Sequence, residues 1–125
     1  MVKTIVSIAV VTCLLVIGSL YEINHVNNQF DDFKEVLTVL YDKIEDETAT
    51  TDDVYAVQEN WLNKKKSLHV FIPHTEIKEV DLWLSETVRL VHDQEWTDAI
   101  SKVEVLIELS EQIPKTFSIR IENIF

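Results

Sequence analysis

Apolar residues follow two different patterns along this chain. From Thr4 to Tyr21 no side chain is charged, and Ile, Val and Leu fill ten positions without leaving a polar face. Beyond Tyr21 the apolar residues become periodic: Ile23, Val26, Phe30, Phe33, Leu37, Leu40 and Ile44 recur in steps of three and four. That spacing places them on one side of a helix over three heptads. The stripe begins directly after Tyr21, so both segments are expected to form one continuous helix. Glu45 to Thr51 is polar and reads as a loop. Thr50-x-x-Asp53 then resembles a capping box opening a second helix, with Val54, Val57, Trp61, Leu68 and Phe71 on its buried side. This helix should end before Pro73, because proline steers the residue before it out of helical geometry.

A third helix is expected from Thr75 as N-cap, with Ile77, Val80, Leu84, Val88 and Val91 inward and Trp83 at the edge. His92-Asp93 marks its end, and Asp93 is a candidate cap for the next helix. The fourth carries Trp96, Ala99, Ile100, Val103, Leu106, Ile107 and Leu109 to Ile113, where Pro114 should stop or kink it. The tail supports two readings. Phe117, Ile119 and Ile121 alternate with polar residues as in a strand, while Phe117, Ile121, Ile124 and Phe125 share a helix face. No other segment offers a strand to pair with, which favours helix. The only glycine is Gly18, so hairpins and phosphate-cradling loops lack the residue they normally need. The expected fold is all-α: an N-terminal transmembrane helix continuing into an antiparallel bundle of about four helices. Residues 1–21 form the anchor and residues 22–125 the bundle.

As a helix, residues 4–21 would span about 27 Å, close to the roughly 30 Å hydrocarbon core of a bilayer. Lys3 precedes the segment, and Glu22, Asp31, Asp32 and Glu35 follow it. The positive-inside rule therefore places the N-terminus in the cytoplasm and the bundle outside. Three rival readings are weaker. A cleaved signal peptide would use Val16-Ile17-Gly18, but the apolar run exceeds the usual length. A lipoprotein would modify Cys13, yet Thr12 suits that position poorly. A buried core helix would normally show a polar face.

Charge narrows the function. The chain carries 22 acidic and 11 basic residues, a formal charge of −11, which repels nucleic-acid phosphates. Its one cysteine excludes an internal disulfide. His69, His74 and His92 invite a metal reading with Glu76 or Asp93, but they lack the i, i+3 or i, i+4 spacing that helical sites use. Asp42, Glu45, Asp46 and Glu47 have no EF-hand spacing. No serine sits in a glycine-bounded turn. The expectation is no enzyme, no cofactor and no metal.

What remains is contact with other molecules. Trp61 could line a docking groove, though a core role is simpler. Lys64, Lys65 and Lys66 form the one basic cluster, which could meet an acidic partner or simply pair with neighbouring acids. The rise per residue places them roughly 20 Å above the bilayer, and puts the Phe71-Ile72-Pro73 turn and the C-terminal tail near its surface. The stripe over residues 23–44 also offers the seam of a homodimer, although two phenylalanines suit such a seam poorly.

Several tracts together resemble a bacterial family classed as a domain of unknown function, number 4363. They are the short anchor, Trp61 with its lysines, Phe71-Ile72-Pro73-His74-Thr75-Glu76-Ile77, Asp93-x-x-Trp96, and the terminal Asn123-Ile124-Phe125. The resemblance implies a membrane protein of Firmicutes type and brings no activity, ligand or catalytic residue. It directs attention to His74, Glu76, Asn123 and Phe125 beside the tryptophan and lysines. The expected function is protein–protein interaction or a structural role at the cell envelope. A ligand- or metal-binding helical module, or a helical protein secreted after signal cleavage, is the alternative.

Overall fold

The uncharged and the striped segments join without a break in α1 (Val2–Glu45), a helix of about 66 Å. The structure, a computed structural model, describes residues 1–124. Three further helices follow, α2 (Thr51–Leu68), α3 (His74–His92) and α4 (Trp96–Ile124), and no strand occurs among the described residues. The first part of α1 stands apart from the rest of the chain. Its apolar window is wholly unburied, and the helix is long and apolar enough to cross a membrane.

From Val26 onward α1 enters an up-down-up-down bundle, in which α1 and α3 each lie between α2 and α4. The sequence stripe becomes the core: Val26, Phe30, Phe33, Leu37, Leu40 and Ile44 are all buried. The face that could have formed a dimer seam is thus turned onto the chain's own helices. Cross-helix pairs set the antiparallel register. Tyr41 donates to Glu104 at 3.4 Å and Lys34 pairs with Glu111, tying α1 to α4. Lys43 meets Asp53 at 3.0 Å and Lys64 meets Asp32 at 3.6 Å, tying α1 to α2. This register lifts Lys64 eleven residues above Tyr21, or about 17 Å, slightly below the height expected from sequence.

The capping box at α2 is present in full. Thr50 Oγ1 accepts from the Asp53 backbone N–H at 3.3 Å, and Asp53 Oδ2 accepts from the Thr50 N–H at 2.8 Å. Those bonds, with Lys43 alongside, hold the Asp53 carboxyl below the usual carboxylate range. A depressed folded-state pKa gives stability that is present above the unfolded value and lost as pH falls through the folded one. Asp53→Ala should therefore cost about 1 kcal/mol at pH 7. Thermal melts of both proteins should converge once the pH drops below the folded-state pKa of Asp53.

Three local expectations change. The N-cap of α3 falls two residues earlier than Thr75: it is Pro73, with φ −55° and ψ 141°, and no side chain caps the helix. Asp93 is the C-cap of α3 rather than a cap for α4. Pro114 lies inside α4 without ending it. Ile113 and Phe117 on either side of it are buried, and their packing offsets the roughly 3 kcal/mol that an internal proline costs. The tail to Ile124 is helical, the reading that the lack of a pairing strand favoured.

The missing glycines are replaced in an unexpected way. Glu47 and Gln94 both adopt φ 57°, a left-handed conformation that costs a side-chain-bearing residue about 1–2 kcal/mol. Each closes a Schellman turn. Thr48 N–H donates to Lys43 O at 2.8 Å after α1, and Glu95 N–H donates to Leu90 O at 2.9 Å after α3.

Candidate interaction surfaces

Trp61 is a core residue with a polar tether. It is 1% exposed and packs against Phe30 and Phe33, with ring centroids 6.0 and 5.0 Å away. Its indole N–H donates to Asp81 Oδ1 at 2.7 Å, while Lys65 Nζ donates to Asp81 Oδ2 at 2.8 Å. Asp81 thus joins α2 to α3 by receiving both groups. Sequence reading missed it, although an acid beside the buried Val80 and Leu84 was the available signal.

The lysine cluster divides into separate fates. Lys64 reaches Asp32 and Lys65 reaches Asp81, while Lys66 is exposed. The outer side of α2 and α3 also carries Leu62 and Leu82, exposed at 52% and 57%. An open groove of about 240 Å³ runs there between Leu62, Lys65, Asp81 and Ser85.

At the opposite edge, Trp83 is half-buried against the core and Lys102 Nζ lies 4.6 Å from its ring centre. Lys102 also reaches Glu86 at 3.4 Å. The Trp83 indole N–H has no acceptor among the described residues. Partial burial, followed by the Glu104 and Glu45 carboxylates, pushes the Tyr41 phenol above its ordinary pKa.

His74 and Glu76 open α3. The His74 ring stacks near His69 with centroids 6.0 Å apart, and Glu76 meets Arg120 of α4 at 3.5 Å. Asn123 is exposed at the same end of α4, and Phe125 lies outside the described residues. The structure therefore brings His74, Glu76 and the C-terminal turns together at the base of the bundle. It leaves Trp61 and the lysines higher on α2. His92 pairs with Asp93 at 3.1 Å and sits at the far end from His69 and His74. No group of three or more metal-ligating side chains converges among the described residues.

These features define a class: an antiparallel four-helix bundle led by a long apolar helix, with its tryptophan–carboxylate tether inside. A model of the family described as Domain of unknown function (DUF4363) matches residues 20–124. The chain belongs to that family. The match takes in the whole bundle and leaves most of the apolar segment outside it. No curated protein and no solved structure matches the chain.

Proposed function

We propose that this is a single-pass membrane protein whose bundle stands outside the cytoplasm and works by contact with another protein of the cell envelope. The observation that carries the reading is the uncharged stretch from Thr4 to Tyr21. None of its apolar window is buried by the rest of the chain, yet it is continuous with a core helix of the bundle. Thirteen apolar side chains among eighteen uncharged positions would be costly left bare in water, whereas the same surface is favourable in hydrocarbon. The positive-inside rule, with Lys3 before the span and acids after it, sets the orientation.

Contact rather than catalysis suits the rest of the molecule. The α2–α3 face offers exposed Leu62 and Leu82, the free Lys66 and a shallow groove. A rim of this kind fits a protein surface better than an enclosed small-molecule site. Photoreactive residues placed at Leu62 and Leu82 in the full-length protein should give the same discrete adduct in intact cells. A control position at Glu47 should give none. Absence of an adduct at either leucine would count against a partner on this face.

A further inference from the structure

The bundle ends on a level with the membrane exit of α1. The cross-helix register sets Ile121 and Glu122 of α4 beside Ile23, and also beside Val16, Ser19 and Leu20, around an apolar groove of about 150 Å³. The α2–α3 turn arrives at the same level. The Phe71 ring lies 5.9 Å from that of His25, which stacks 6.3 Å from Tyr21, and Phe71 also meets Phe117 at 6.1 Å. Four residues separate Tyr21 from His25, so this turn stands about 6 Å above the end of the uncharged segment. The headgroup layer on each side of a bilayer is also about 6 Å deep.

Two independent features fit that location. The base shows large apolar side chains that the bundle leaves uncovered: Val70 is 80% exposed, Tyr21 68% and Ile119 50%. Charge is also sorted along the bundle. Residues 38–57 and 86–103, around the two upper turns, hold ten carboxylates against three basic side chains. Residues 20–34, 62–80 and 111–124, which the cross-helix pairs bring to the same lower half, hold seven carboxylates against seven basic side chains. The acidic end points away from the span, and the end beside it carries no excess negative charge to be repelled by anionic headgroups.

We infer that the base of the bundle is seated in the headgroup layer of the same bilayer that holds α1. Val70 and Ile119 then meet the headgroups, and Tyr21 marks the end of the span beneath them. The protein then rests on three segments instead of a single stalk, which limits tilting and fixes the height of the α2–α3 face. This rests on the membrane reading above and adds a second, separable lipid contact.

The test uses the full-length protein with Cys13→Ser, reconstituted in vesicles of phosphatidylcholine and phosphatidylglycerol. Single cysteines at Val70→Cys, Ile119→Cys, Glu47→Cys and Val10→Cys carry a small fluorophore. Brominated lipids quench it, with bromine either near the headgroup or deep in the acyl chain. Shallow bromine should quench the probes at 70 and 119 about twofold or more and leave the probe at 47 unchanged. If deep bromine quenches the probe at 10 while those at 70 and 119 behave like 47, the seating is wrong and the anchor stands. If the probe at 10 is also unquenched, the membrane reading fails and the seating with it.

Discussion

Replacing Val10 and Leu14 together by arginine should move this protein from the membrane fraction to the soluble fraction. Ten Ile, Val and Leu residues between Thr4 and Tyr21 favour insertion by about 3–5 kcal/mol in total. Each arginine near the centre of the span costs about 2.5–3.5 kcal/mol, so two outweigh the whole driving force. Neither side chain touches the bundle, since Val10 is 51% and Leu14 63% exposed. Helical content and the melting of the bundle should therefore survive the change. A single arginine should give partial release. Retention of the double variant in carbonate-washed membranes would show that residues 4–21 are not what holds the protein there.

The second large effect is expected at Trp61. Trp61→Ala removes the largest buried side chain, opens a cavity against Phe30 and Phe33, and strips Asp81 of a donor. Truncations of this kind cost about 3–5 kcal/mol, a large part of the 5–15 kcal/mol that holds a typical domain. The melting temperature should fall by roughly 15–30 °C for a bundle of this size. Trp61→Phe separates the two contributions. It keeps an aromatic ring in the core and loses only the indole N–H, with an expected cost of about 1–3 kcal/mol. Asp81→Asn should be milder than Trp61→Ala, because the amide oxygen can still accept from the indole, although the Lys65 ion pair is lost. Melts that ranked Asp81→Asn below Trp61→Ala in stability would show that the tether outweighs the packing.

The four helices were legible because their core positions repeat at helical spacing and their ends carry local signals. Thr50 and Asp53 announced α2 through a bond pattern that needs only adjacent residues. The long first helix was equally readable, since nothing polar interrupts its join at Tyr21. That Pro114 does not stop α4 could not be read from its neighbours, because its cost is local while its compensation is tertiary: Ile113 and Phe117 become buried only once α4 lies on the core. The tail was ambiguous for the same reason. Glu47 and Gln94 gave no warning, because left-handed turns usually advertise themselves by glycine and here two polar residues absorb the strain.

The surface was less legible than the core. Three adjacent lysines looked like one patch, yet Lys64 turns to Asp32 of α1 and Lys65 to Asp81 of α3, leaving Lys66 exposed. Adjacent residues on a helix point about 100° apart, so a run in sequence is not a patch in space. The base of the bundle shows the reverse. Tyr21, Val70 and Ile119 lie far apart in sequence, and only the antiparallel register brings them to one level.

The most direct measurement is the reach of a membrane-impermeant maleimide to Glu47→Cys, in a Cys13→Ser background, in intact cells of the native host. Labelling is expected before lysis, on full-length protein that stays in carbonate-washed membranes. Labelling only after lysis would put the bundle in the cytoplasm. Labelled protein shortened at its N-terminus and free of the membrane would make residues 4–21 a removed leader instead of an anchor.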